Sequence, residues 1–290
     1  MVKFIAEREH RTFVDAQGVT IHYYVWAPGR PKAVVQLAHG VGEHALRYEV
    51  LAQGLVNAGY AVYADDHRGH GMTGVEMTDG DSSKMGKLGP GGLRATIQDL
   101  RDLSAIIRTD HPELPLVLLG HSWGSLMAQI ILNDHAADYD AAVLTGTSYR
   151  MPGYMNSGDL NAKHAHLGDT GVEWLSRDPE VHQLFRADPL TFDAKILKLF
   201  GVRDGLRLYG RPKRLGRDIP LLVMVGDDDP LGGEPGAVKL VEEYARRGGL
   251  TDVELAVYPE ARHEVFNELN QADVRRDLIE WLDDRLSPTD

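Results

Sequence analysis

Ser122 lies in Gly120-His121-Ser122-Trp123-Gly124, a G-x-S-x-G pattern, and its hydroxyl is a candidate nucleophile. A serine hydroxyl attacks a carbonyl only when a positioned base takes its proton, and that base is held in one tautomer by a carboxylate. Where such a serine sits between a strand and a helix, its partners follow in the order Ser, acid, His. The sequence has thirteen histidines, but only His263 lies beyond both Ser122 and the acid candidates. Those candidates are the adjacent aspartates of Gly226-Asp227-Asp228-Asp229-Pro230. Carboxylate chemistry alone leaves the three open. Position favours Asp229, because two residues must carry the chain past the preceding strand and Pro230 holds Asp229 extended, toward the histidine loop. Asp227 and Asp228 are expected to cap the turn or face solvent. The alternative acid position, after Leu144, reads Thr145-Gly146-Thr147-Ser148 and offers no carboxylate. The chemistry implied is acyl transfer, whose oxyanion needs N–H donors. Trp123 N–H, one residue past the serine, is the first candidate. Val41 N–H, in His39-Gly40-Val41-Gly42, is the second. No cofactor and no metal are required.

The surrounding pattern supplies elements to position these groups. Leu116 to Leu119 is an unbroken apolar run, which predicts a strand buried on both faces. Leu126, Ile130 and Ile131 then recur at helical spacing, ending near Asn133 and Asp134. The chain must bend sharply between them, so Ser122 is expected at a strained, exposed corner where a Cβ on either flanking glycine would crowd its neighbours. Glu9 to Val14 and Val19 to Trp26 alternate and predict an edge hairpin. Further strands are predicted at Ala33–Ala38, Tyr60–Ala64, Ala141–Leu144, Leu221–Val225 and Val253–Tyr258. Helices are predicted at about 46–57, 93–108, 234–247 and 265–286. This alternation specifies an α/β fold, a mostly parallel central sheet with helices on both faces. Ser148 to Gly210 breaks the rhythm, with no clear strand and scattered aromatics among helix-like pieces. It reads as a helical insertion over the carboxyl edge of the sheet, where open α/β sheets bind ligands. The expected organisation is a core of residues 1–147 and 211–290 with a cap at 148–210.

Composition narrows the function. At 290 residues, 43% apolar and 26% charged, the chain has the makeup of an ordinary globular protein. A net charge of −12 argues against nucleic acid and anionic membrane surfaces as partners. Without cysteine there is no thiol nucleophile, disulfide or thiolate metal site. The N-terminus turns charged too early for a signal peptide, and no apolar run approaches a membrane span, so a cytoplasmic location without stable membrane insertion is expected.

HGVGEHALRYEVLA, the DDHRGHG turn, LLGHSWGS, GDDDP and YPEARHEVFNE together resemble the monoglyceride lipase and lysophospholipase-like branch of the α/β-hydrolase family. WLSRDPEVHQLFRADPL also looks like the cap of bacterial members. The resemblance covers nearly the whole chain and implies an α/β-hydrolase fold with a helical cap. It implies Ser122 as nucleophile, Asp229 as acid, His263 as base, and Val41 and Trp123 as backbone oxyanion donors. The implied activity is serine carboxylester hydrolysis through an acyl-enzyme, with a small-molecule ester as partner.

This chain departs from the family's GHSMGG by Trp123 and Ser125. Asn156, Asp159, Asn161, Lys163, His164 and His166 make the insertion polar, which points to short- or medium-chain esters. Arg203, Arg207, Arg211, Lys213, Arg214 and Arg217 form a basic stretch, read as a solvated connection. His67 and His70 are expected to serve structural hydrogen bonds, and Glu43 and His44 to orient the oxyanion loop. The same triad could serve perhydrolase, lactone, amide or carbon–carbon bond chemistry, since fold does not fix function. A non-catalytic ligand-binding module is the reading from outside enzymology.

Overall fold

In the computed structural model, which describes residues 6–286, the alternating N-terminal segments form an antiparallel hairpin, β1 (Arg8–Val14) and β2 (Thr20–Trp26). β2 then pairs antiparallel with β4 (Tyr60–Asp65), which lies beside β3 (Ala33–Ala38). β5 (Leu116–His121), β6 (Ala141–Thr145), β7 (Leu221–Gly226) and β8 (Val253–Tyr258) complete an eight-stranded sheet in the order β1-β2-β4-β3-β5-β6-β7-β8. All pairs from β4 to β8 are parallel. β3 to β7 are buried at every residue, which is why their sequences are continuous apolar runs rather than alternating ones.

Helices cover both faces. α3 (Gly92–Asp110), α4 (Trp123–His135) and α7 (Gly233–Glu243) pack on one, through Leu100, Leu103, Met127, Ile131 and Leu240. α1 (Glu49–Asn57) and α8 (Gln271–Leu286) pack on the other, through Leu51, Leu55, Leu278 and Trp281. Successive strand residues alternate between these cores, Val34 to the first and Val35 to the second, as a period-two element requires.

Two boundaries differ from the sequence expectation. Residues 71–77, outside the predicted helices, form α2 (Gly71–Met77). The last helix starts at Gln271, not Val265; residues 265–267 make only a short 3₁₀ turn. The buried Glu268 carboxylate accepts the N–H groups of Arg177, Arg262 and Leu269, which holds this stretch in a loop. Between β6 and β7 the chain adds α5 (Pro179–Ala187) and α6 (Ile196–Arg207), the latter broken at Gly201 with φ 76°. Apart from a 3₁₀ turn at Ala165–Leu167 the rest of this segment is irregular, and it contains no strand.

β3 and β5 are neighbours, but the chain leaves β3 toward β4 on one side and β5 toward β6 on the other. Their carboxyl ends therefore flank a reversal of strand order, the place where open α/β sheets form a crevice.

Candidate active site

Ser122 occupies the junction of β5 and α4 with φ 51° and ψ −121°, a left-handed conformation that costs a non-glycine residue roughly 1–3 kcal/mol. Its N–H donates to Thr145 O at 2.9 Å, and its carbonyl accepts from Leu126 N and from Ser125 Oγ at 2.6 Å. The glycines on either side are sterically required. A Cβ on Gly120 would meet Gly124 O at 2.7 Å, and one on Gly124 would meet Ala38 O at 2.1 Å. The corner is not exposed as expected: Ser122 is 9% accessible. The loop after β3 runs directly over it, where a Cβ on Gly40 would lie 3.1 Å from Ser122 Cβ.

Of the three aspartates after β7, Asp229 reaches the histidine. Its Oδ1 lies 2.9 Å from His263 Nδ1 and also accepts the Leu231 N–H. Both side chains are almost fully buried. Asp227 Oδ1 instead accepts Glu260 N–H, closing the turn, and Asp228 pairs with Lys163 and His164. Burial pulls the His263 imidazole toward its neutral form, but the Asp229 charge and hydrogen bond, then Glu264 and Glu43, outweigh it and raise its pKa above the ordinary value. His263 Nε2 has no hydrogen-bond partner among the described residues, Ser122 included. The two loops still converge. The rings of His121 and His263 are 4.9 Å apart, and a Cβ on Gly146 would strike both the His121 ring and the His263 carbonyl.

The loop carrying Val41 is held by Glu43, whose carboxylate accepts the Gly40 N–H at 2.6 Å. His44 reaches the segment between β6 and β7, with Nε2 2.7 Å from Asp188. Trp123 heads α4, so its N–H is among the donors that no helical carbonyl satisfies. Its indole packs against the rings of His67, His70 and Phe200. His67 bonds Asp65 at 2.7 Å and His70 bonds Arg68 O at 2.9 Å. Burial pushes the His70 pKa down to about 3, so that ring stays neutral. Among the described residues, no three His, Cys, Asp or Glu side chains converge as a metal site.

Several contributors had no strong local signal. Trp174 places its ring 4.7 Å from His263, and its carbonyl accepts the His263 N–H at 3.4 Å. Arg47 lies between Glu43 and Glu264, 2.7 Å from the first and 2.6 Å from the second. The i,i+4 spacing of Glu43 and Arg47 was the one visible hint.

Several polar residues of the 148–210 segment bond within it or to the loop after β7. Asn161 bonds Glu173 and Trp174 N, His164 and Lys163 bond Asp228, and Asn156 bonds Pro230 O. Leu184, Leu197, Val202 and Leu206 stand exposed on α5 and α6. In the basic stretch, Arg207 pairs with Asp204, Lys213 with Asp134 and Arg217 with Asp140. Among the described residues, no helix is long and apolar enough to cross a membrane.

The profile of the family described as serine aminopeptidase, S33 matches residues 29–270, a span that includes Ser122, Asp229 and His263. A monoacylglycerol lipase from Mycolicibacterium smegmatis is 36% identical over 290 residues, covering 95% of this chain and 97% of its own. The human monoglyceride lipase is 27% identical, covering 94% and 89%. A solved lipase in its open form superposes with a TM-score of 0.76 at 28% identity, covering 97% of this chain and all of its own. With sheet, elbow and alignments in agreement, the chain belongs to the serine aminopeptidase S33 family of α/β-hydrolases, in its monoglyceride lipase-like branch.

Proposed function

We propose that Ser122, Asp229 and His263 form a catalytic triad, with the N–H groups of Val41 and Trp123 as oxyanion donors, and that its substrates are monoacylglycerols. The chain is a serine hydrolase of carboxylic esters. The observation that carries the site assignment is the buried His263 Nδ1–Asp229 Oδ1 contact of 2.9 Å, with Nε2 unpaired and the ring 4.9 Å from that of His121, the residue before Ser122. Catalytic hydrogen bonds are often absent before substrate binds and tighten in the complex, so an unpaired Nε2 suits a base awaiting its serine.

In this reading His263 Nε2 takes the Ser122 proton as Oγ attacks the ester carbonyl. The oxyanion is met by backbone donors fixed before the reaction. Asp229 holds the ring with Nδ1–H inward and stabilises the imidazolium. Collapse of the intermediate expels glycerol, protonated by His263, and leaves an acyl-enzyme. His263 then activates water to release the fatty acid. Residues 148–210 act as a cap, since they contact both the Gly42 loop and the His263 loop. Glycerol as the alcohol half is supported by the named activity of the Mycolicibacterium smegmatis and human relatives.

The test is glycerol release from a 1-monoacylglycerol by the wild type and by Ser122→Ala, beside an aminoacyl p-nitroanilide. Ester turnover lost in Ser122→Ala is expected. Faster cleavage of the anilide would replace the ester reading with the peptidase named in the family description.

A further inference from the structure

We infer that Arg47 is a positioning residue for this reaction: by pairing with Glu43 and Glu264 at once, it holds the loop of the Val41 donor against the loop of the His263 base. The inference rests on the triad reading above. Glu43 Oε1 accepts the Gly40 N–H at 2.6 Å and the Tyr48 hydroxyl at 2.7 Å, which closes the turn that presents Val41 over Ser122. Glu43 Oε2 accepts Arg47 Nη1 at 2.7 Å. The same guanidinium makes a two-pronged contact with Glu264, Nη1 to Oε1 at 2.6 Å and Nη2 to Oε2 at 2.8 Å. Glu264 is the residue after His263, and its backbone N–H is fixed to Leu175 O at 2.7 Å. The guanidinium also lies over the Phe185 ring of α5, 5.0 Å from its centroid.

Stability does not explain this arrangement. Three buried charges pay a desolvation cost that packed apolar side chains of similar volume would avoid. What a planar fork between two carboxylates does, and an apolar cluster does not, is set the spacing and orientation of two loops. Those loops come from opposite ends of the chain, after β3 and after β8. Misplacement of an oxyanion donor relative to the base by a fraction of an ångström lowers turnover without lowering affinity in proportion.

The charges also bear on the base. His263 is faced by Asp229 from the loop after β7, by His121 from the end of β5, and by Glu264 beside it. Glu43 faces it from the connection after β3, where Arg47 pairs with both glutamates and faces His121, while Trp174 adds an uncharged ring. Arg47 offsets the two glutamates. Without it their negative field favours the imidazolium, and the acid limb of the rate profile moves to higher pH. Removing Glu264 moves it the other way.

The experiment compares pH profiles of p-nitrophenyl butyrate hydrolysis for wild type, Arg47→Gln, Arg47→Lys, Glu264→Gln and Ser122→Ala. Arg47→Gln is expected to lose roughly tenfold to a hundredfold in kcat with little change in KM. Its acid limb should rise by about one pH unit, and that of Glu264→Gln should fall. Arg47→Lys should return the limb to its wild-type place but recover only part of kcat, having one charge and no fork. If Arg47→Gln does not fold, the Glu264→Gln limb and the Arg47→Lys kcat decide the matter. Unmoved limbs, or a loss confined to KM, overturn the positioning role while an inactive Ser122→Ala leaves the triad standing. An active Ser122→Ala overturns the triad itself.

Discussion

The β5–α4 elbow and the 148–210 segment both meet the loop after β3, yet they are built by different means. The elbow is held by backbone: a strand buried on both faces, a helix, and two glycines where any Cβ would collide with a neighbouring carbonyl. The segment is held by side chains. Glu173 gathers donors from Thr170, Gly171 and Asn161, and Arg262 reaches its carbonyl at 2.6 Å. Backbone construction allows almost no substitution and fixes the reacting atoms. Side-chain construction can be retuned one contact at a time, which suits the cap role proposed for this segment.

Changes on each side should separate accordingly. Ser122→Ala should cut ester turnover by roughly 10⁶-fold while leaving the far-UV circular dichroism spectrum and Tm intact; residual activity within a few fold of wild type would end the elbow's role. Asp229→Asn should cost roughly 10⁴-fold in kcat, because the imidazole loses the partner that sets its tautomer. Asp227→Asn should stay within about threefold of wild type, since the Asp227 carboxylate bonds the Glu260 N–H rather than His263; equal losses would erase the distinction between the two. Gly124→Ala should destabilise the whole protein by about 3 kcal/mol or prevent folding, read from urea denaturation, because the new methyl meets Ala38 O. Glu173→Gln should act locally, at about 1–3 kcal/mol, seen as faster proteolysis between 148 and 210 and as a change in KM larger than that in kcat.

The carboxyl of Glu173 adds a pH arm. Burial alone would raise its pKa, but hydrogen bonds from Thr170 and Asn161 bring it down to about 2. A depressed folded value means stabilisation that is complete above the ordinary glutamate pKa and is lost as pH falls toward 2. Hydrogen exchange at pH 3 against pH 7 should therefore show early loosening in the segment, with the β5–α4 amides still protected.

The same contrast explains what the sequence could disclose. β3, β5 and β7 were legible because burial on both faces leaves apolar runs, and the Ser, Asp, His order follows from strand ends. α2 was hidden because Gly71-Met72-Thr73-Gly74 reads as loop; its second glycine is there because a Cβ would strike Gly69 O at 2.6 Å. The late start of α8 depends on Glu268 collecting donors from Arg177, ninety-one positions away. Arg47 to Glu264 spans 217 positions, and no periodicity records such a pair. The polar residues 156–166 were legible as composition but not as contacts, such as those of His164 and Lys163 with Asp228.

The central claim is that an ester passes through a covalent bond to one serine. Protein quenched in acid during p-nitrophenyl butyrate turnover, digested and analysed by mass spectrometry, should carry a butyryl group on the peptide containing Ser122 and nowhere else. An adduct on another residue, or steady turnover with Ser122 never acylated, would contradict it.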